Sequence, residues 1–476
     1  MAACKPALFT IDRQRDGTLQ SRIHHDIRQA IVSGRLAPGA RLPSIRTLAS
    51  ELGVARGTVD AVYARLIGEG FITARGSRGT IVSPLPVTRP RTVPATSPAV
   101  SVSRDFPTRF HIGLPALDLF PYAHWARLVS QTARRLSSRM PHHPMPAGLP
   151  ALREAIAGYL AVARGFACDP AQIFITPGYQ GALDLATRLI LRDGDKVWFE
   201  DPGYSFARDA LIAKSARVIP VPVDAQGLRV EEGIRLAPDA RLAVVTPSHQ
   251  SPLNVTLTPE RRRMLLDWAA QADSWILEDD YDSEFHYLGF RPVALKSLDA
   301  SDRVFFAGSF SKTLLPSLRL GFLVVPEAFT RAAVEAATLV HRGEAEFMQT
   351  VLAGFISEGH FSRHLRRMRA KYDLRRRVLG VALKSAFGDV VTIRSQQGGL
   401  HLIAELNGYG SDIDMVSLAR AKGLWVSALS AQSIAHRAGD ALMLGFANIA
   451  ETAAEAEIAA LKRAVASAAD SGLTNI

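Results

Sequence analysis

Cysteine is nearly absent, with Cys4 and Cys168 the only two in 476 residues. Two thiols cannot build a disulfide framework or a cysteine-based zinc site. This excludes the small secreted scaffolds and predicts a cytosolic chain with no metal centre. Long apolar runs are missing too. No stretch of about 18 apolar residues is available to span a bilayer, and the opening MAACKPALFTIDRQRD lacks the apolar segment of a secretory signal. Neither export nor membrane insertion is expected. Aromatic residues reach only 7% and charged residues 21%, against 47% hydrophobic. That composition provides for a large core and excludes full-length disorder, a collagen-like repeat and a long coiled coil. At roughly 100–200 residues per domain, the length implies two to four domains.

Acidic residues are scarce in one region. The chain carries +11 overall, and residues 1–100 hold 14 Lys+Arg against 6 Asp+Glu, a net +8. The rest is almost balanced. A basic terminal domain on a nearly neutral body suggests a polyanion-binding attachment, with nucleic acid the first candidate and a merely solvated basic face the alternative. Between the two parts, PLPVTRPRTVPATSPAVSVSR (84–104) has five prolines and no acid in 21 positions. Proline fixes φ and removes donors, favouring extended chain at about 3.1 Å per residue, a reach of roughly 60 Å. The expected organisation is a domain over 10–83, a linker over 84–104 and a larger domain over 105–476.

In the basic part, Leu19, Ile23, Ile27, Ala30 and Ile31 recur at helical spacing, so an amphipathic helix is expected up to Gly34. Ser44 is placed to cap a second helix running to Leu52, which Gly53 ends, and a third runs from about Ala55 to Gly68. GFITARGSRGTIV then reads as strand, turn, strand. This is a helix-turn-helix followed by a wing. Such a unit places one helix in the major groove, about 12 Å wide, with polar and basic side chains at its start. Arg56 and Thr58 stand there, while Arg46, Arg75 and Arg78 are placed for phosphates or the minor groove. Leu42 to Val59 carries LPS, Arg, LA, LGV and RxTV, and resembles the winged-helix domain of the GntR family of bacterial regulators. The resemblance implies that Arg46, Arg56, Thr58 and the wing around Gly79 contact DNA. Gly57 stands where that family often has serine.

From about residue 110, short apolar runs alternate with helical segments: QIFITPG, GALDLATRLIL, KVWFEDPGY, ARVIPVPVD, RLAVVTPSHQ, PERRRMLLDWAAQA, SWILEDDYDSEF, RVFFAGSFSK and RLGFLVV. This alternation predicts an α/β fold on a mostly parallel sheet covered on both faces. Ligands of such sheets bind beyond the carboxyl ends of the strands. There the chain carries Glu278, Asp279, Asp280 and Tyr281 after one strand, and Ser309, Ser311, Lys312 and Arg319 after another. A buried acid calls for a cationic partner. Where a strand meets a helix, the amides near Tyr179, Gln180 and Gly181 can hold a phosphate. Each feature has an ordinary structural explanation by itself. Together, a phosphate anchor, an acid and a lysine are the groups that pyridoxal phosphate needs: the acid for the ring nitrogen, the lysine for the aldehyde, and amides, hydroxyls and arginine for the phosphate.

VWFEDPGY, TPSHQSP, ILEDDYDSEF and GSFSKTLLPSLRLG are similar to the fold type I aminotransferase domain. Behind a GntR-like winged helix, they make the whole chain resemble the MocR/GabR family of transcriptional regulators. The resemblance implies that Lys312 forms the Schiff base with the cofactor, Asp279 partners the pyridine nitrogen, Tyr281 donates to the ring hydroxyl and Tyr204 stacks on the ring. Tyr179, Gln180, Ser309, Ser311 and Arg319 would surround the phosphate. It also implies a homodimer, head to tail, on operator DNA, responding to an amino compound or to pyridoxal phosphate itself. A working aminotransferase with an accessory DNA-binding domain is the alternative. Two departures stand out. Ser251, Leu253 and Asn254 replace the residues of TPSHQFPTG, with Asn254 able to adopt the left-handed turn conformation of the missing glycine. Met443 lies near the place of the arginine that clamps a substrate carboxylate in aminotransferases, leaving Arg437 or Arg394 to substitute. His249 reads either as a pocket residue or as a core histidine bonded to backbone.

Overall fold

The computed structural model describes residues 17–76, 79–84, 109–135, 144–287, 292–340, 343–394 and 398–472. The chain divides into two compact units, Met1–Ser103 and Arg104–Ile476. Beyond Pro84 the expected linker lies outside the described residues, as do residues 10–16 of the expected first domain.

The smaller unit is built on α1 (Leu19–Val32), whose Ile23, Ile27, Ala30 and Ile31 form one buried face. Ser44 starts α2 (Ile45–Leu52), its hydroxyl accepting from the Thr47 amide at 3.1 Å. Gly53 stops it at φ 67, in the left-handed region where a Cβ is costly. After this tight turn, α3 (Arg56–Gly68) packs Val59, Val62 and Leu66 against α1 and α2. β1 (Ile72–Ala74) and β2 (Thr80–Val82) then pair antiparallel, Ile72 opposite Val82, and both residues enter the same core. The wing is thus held by apolar contacts, while Thr73 to Gly76 are exposed.

The larger unit centres on eight strands: β3 (Ile173–Thr176), β4 (Lys196–Asp201), β5 (Arg217–Asp224), β6 (Gly227–Leu228), β7 (Leu242–Val245), β8 (Trp275–Asp280), β9 (Val304–Ser309) and β10 (Gly321–Val324). Their order is β3-β10-β9-β8-β7-β4-β5-β6. β4, β5, β7, β8 and β9 run parallel, whereas β10 is antiparallel to both neighbours and β6 to β5. Adjacent Phe305 and Phe306 point to opposite faces and join different cores. Around this sheet lie α4 (Tyr122–Arg135), α5 (Pro150–Ala163), α6 (Gly178–Ile190), α7 (Ser205–Ala213), α8 (Val230–Leu236), α9 (Pro259–Gln271), α10 (Thr330–Val340), α11 (Glu346–Ser357) and α12 (His360–Phe387). α6, α7 and α10 cover one face; α5, α11 and α12 supply the core on the other. Burial on both sides is why these strands read as unbroken apolar runs.

A second sheet was not legible in the sequence. It is antiparallel, in the order β11 (Val391–Ile393), β12 (His401–Leu406), β14 (Leu442–Gly445) and β13 (Ser427–Ala428), flanked by α13 (Asp412–Arg420) and α14 (Ala454–Gly472). Leu402, Ala404, Leu442 and Leu444 enter the main core. By the two-residue alternation, Ile403 and Met443 face away from it and pack with Ile112 and Leu253. No helix among the described residues is long and apolar enough to cross a membrane.

Candidate functional site

Sheet register alone gathers the expected groups. Gly321 at the start of β10 lies opposite both Thr176 at the end of β3 and Ser309 at the end of β9. On the other side of β9, Gly308 is level with Asp280. The loops after β3, β8 and β9 therefore leave one edge of the sheet together, carrying Tyr179 and Gln180, Tyr281 and Asp282, and Ser311 and Lys312.

Asp279 is buried and has no salt bridge among the described residues. Burial pushes its carboxyl well above the usual carboxylate range, and nearby Asp280, Glu200 and Asp282 add to the effect. Lys312 is shifted the other way. Desolvation lowers its amine below the ordinary lysine value, against the pull of Asp282 and Asp279. Over the lysine runs Gly113, at φ 68, where a Cβ would overlap Nζ and lie 2.9 Å from Cε. The hydroxyls of Tyr179 and Tyr281 are buried, Tyr179 beside the Asp279 carboxyl and Tyr281 beside Ser251. Tyr204, at the start of α7, is partly exposed, its ring 6.3 Å from that of Tyr179. An acid without a counter-ion, a desolvated amine and two buried phenols form a niche whose polar groups suit a ligand.

At one end of this niche the first turn of α6 has no side-chain cap. Arg319 lies beside it, donating to the Pro177 carbonyl at 3.1 Å. Ser309 accepts from the Ser311 amide at 3.2 Å. A Cβ on Gly321 would sit 2.8 Å from the Gly178 backbone, so this glycine lets the chains close up. Free helix amides, two hydroxyls and a guanidinium suit a phosphate. The residues present fit pyridoxal phosphate at both ends.

Several partners were beyond the reach of the sequence. The cation demanded by the acidic run is Arg164, whose Nε lies 2.6 Å from Asp280 Oδ2 with both side chains buried. Glu278 accepts instead from the amides of Leu295 and Lys296, at 2.8 and 2.9 Å. Asp201 receives the amides of Ile434, Ala435 and His436, each at 2.7 Å, and fastens that loop beside Tyr204. Glu200, buried against Thr246 and Gln250, is raised to about 7, by desolvation above all. His249 is buried and bonded to side chains rather than to backbone: its Nδ1 is 3.0 Å from Asp282 and its Nε2 3.0 Å from His286. Asn254 does adopt the left-handed turn, at φ 56. Arg394 and Arg437 do not reach toward Lys312 unpaired, for each already holds a carboxylate, Glu405 at 2.7 Å and Asp440 at 2.9 Å. The pairings of Arg164 with Asp280 and of Asp201 with residues 434–436 join residues far apart in the chain and carry no local pattern.

In the smaller unit, Arg46 is exposed in the first turn of α2, and Arg56 begins α3 with partly buried Thr58 beside it. Arg75 is exposed after β1, its amide bonded to the Gly79 carbonyl at 2.9 Å. Arg78 lies outside the described residues. Gly79 is at φ 83, where a Cβ would stand 2.9 Å from Arg41 Nε. Arg46, Arg56 and Arg75 make no salt bridge among the described residues and remain available to an anion.

Comparison with known proteins agrees with both halves. Residues 19–82 match the bacterial regulatory proteins of the gntR family, and residues 122–443 match aminotransferase class I and II. The chain is 36% identical over 459 residues to the probable rhizopine catabolism regulatory protein MocR of Rhizobium meliloti, covering 93% of this chain and 92% of that protein. It is 35% identical to the transcriptional regulator TauR of Rhodobacter capsulatus, covering 86% and 88%. Among solved structures, kynurenine aminotransferase of Pyrococcus horikoshii superposes with a TM-score of 0.69 at 26% identity, over 76% of this chain and 92% of that one. Winged helix and aminotransferase fold thus occur in one chain that aligns with regulators along nearly its whole length, and the chain belongs to the MocR-type family of GntR-class transcriptional regulators.

Proposed function

We propose that this chain is a cytoplasmic transcriptional regulator that binds operator DNA through its winged helix and senses an amino compound, or pyridoxal phosphate itself, through its aminotransferase-like unit. The observation that carries the reading is Asp279, a buried acid without a counter-ion, facing the same niche as the desolvated Lys312. When bound, the cofactor supplies an aldehyde open to amines and an electron-withdrawing ring. Lys312, a buried and desolvated amine, would hold the cofactor at Nζ. Asp279 retains the proton on the ring nitrogen, an ion pair that offsets the cost of its own burial. Tyr281 donates to the ring hydroxyl and Tyr204 covers the ring face. Tyr179, Gln180, Ser309, Ser311 and Arg319 hold the phosphate.

In the DNA-binding unit, Arg56 and Thr58 read base edges, Arg46, Arg75 and Arg78 meet phosphates or the minor groove, and Gly79 shapes the wing. We place the chain in a head-to-tail homodimer, so the operator carries repeated half-sites. An effector amine changes DNA binding only by preferring one arrangement of the dimer over another. The test is retention of genomic fragments with and without pyridoxal phosphate. One set of operators, whose affinity depends on the cofactor, is the expected result. Arg56→Ala should weaken operator binding by about 1–3 kcal/mol and relax sequence preference at one position. Unchanged operator binding by this variant in a filter or mobility-shift assay would remove the assignment.

A further inference from the structure

Next to Gly113 the niche adjoins an apolar cluster that contains no cation among the described residues. β12 and β14 turn Ile403 and Met443 toward Ile112 and Leu253, and Met443 is fully buried. Ile112 directly precedes Gly113, the residue that closes over Lys312 Nζ. On the same strand face as Ile403, His401 is buried and within electrostatic reach of Lys312, its pKa lowered by desolvation. It is therefore a neutral hydrogen-bonding group. Its Nε2 lies 2.9 Å from the Pro252 carbonyl and 3.3 Å from Asn254 Nδ2. Asn254 Oδ1 is buried without a partner.

The charges around Lys312 are negative, from Asp279 and Asp282. Of the arginines in this region two hold carboxylates, and none belongs to the apolar cluster. Arg394 is held by Glu405 and the Ala438 carbonyl, Arg437 by Asp440, and Arg420 stays exposed over the Trp425 ring. Arg319 stands at the phosphate end. A ligand carboxylate entering against this cluster would lose its hydration among aliphatic side chains, with no cation of the cluster to replace it. A neutral ligand body meets no such cost, and hydroxyl groups on it would satisfy Asn254 Oδ1 and find His401.

We infer that the effector is an amine without a carboxylate, with a neutral, hydroxyl-bearing body, and that Met443 sets this preference. The inference rests on the sensing function proposed above. Its test is calorimetric titration of the full-length, cofactor-loaded protein with two sets of probes: ethanolamine and glucosamine in one, glycine, alanine and 4-aminobutyrate in the other. The hydroxylated amines should bind at least tenfold more tightly than the amino acids. In Met443→Arg the order should reverse, because the new guanidinium supplies the missing counter-ion, while Met443→Leu should keep the native order. Amino acids binding as tightly as the amines, or amines not binding, would overturn the inference. If the protein carries no cofactor at all, shown by the absence of its visible absorbance, the sensing function itself fails, and the two failures are told apart.

Discussion

Gly113→Ala will abolish stable cofactor attachment while leaving the DNA-binding unit folded. Gly113 sits at φ 68, so any side chain there pays about 1–2 kcal/mol of backbone strain. The larger effect is spatial. A Cβ would overlap Lys312 Nζ and lie 2.9 Å from Cε, driving the amine away from the one place where it faces both Asp279 and the end of α6. The lysine can yield, being the flexible end of a long side chain, and the fold should survive with its amine misplaced. Visible absorbance of the bound cofactor should be lost, as in Lys312→Ala, with near-native far-ultraviolet circular dichroism. Retention of one cofactor per chain in Gly113→Ala would show that this glycine does not position the lysine.

Arg164→Met should cost about 3–5 kcal/mol of stability, a large fraction of the 5–15 kcal/mol typical of a folded domain. The guanidinium is buried against Asp280, donates to Ser248 Oγ at 2.9 Å, and lies near Glu278 and Glu284. Removing it leaves Asp280 buried among other acids with nothing to compensate it. Asp280 directly follows Asp279, so the disturbance should reach the cofactor niche as well. Urea unfolding of the larger unit should move to a lower midpoint, and Arg164→Met/Asp280→Asn should recover part of the loss because the uncompensated charge is gone. A change below about 1 kcal/mol for the single variant would contradict the account of this ion pair.

Much of this was legible in the residues, and the reasons are local. Ser44, Gly53 and the apolar spacing of Leu48, Val59, Val62 and Leu66 specify the two helices and their turn, because caps and periodicity act within a few residues. The parallel strands were readable because burial on both faces leaves unbroken apolar runs, and the polar residues ending them marked the edge where Asp279, Ser309 and Lys312 meet. The second sheet escaped because its strands are short and its partners far apart: β12 pairs with β14 across α13. The same limit hid Arg164, whose pairing with Asp280 depends on tertiary packing alone. The partners of His249 were hidden for a related reason, since both of them, Asp282 and His286, come from the loop after β8. Gly113 lay in a segment with no pattern at all, and only the closeness of Lys312 reveals its role.

The measurement that bears most directly on the account is reductive trapping of the cofactor. The protein, purified with pyridoxal phosphate and treated with borohydride, should yield after proteolysis one peptide that carries the mass of a phosphopyridoxyl group on Lys312, and Lys312→Ala should yield none. An unmodified Lys312, or a label scattered over other lysines, would contradict the central claim.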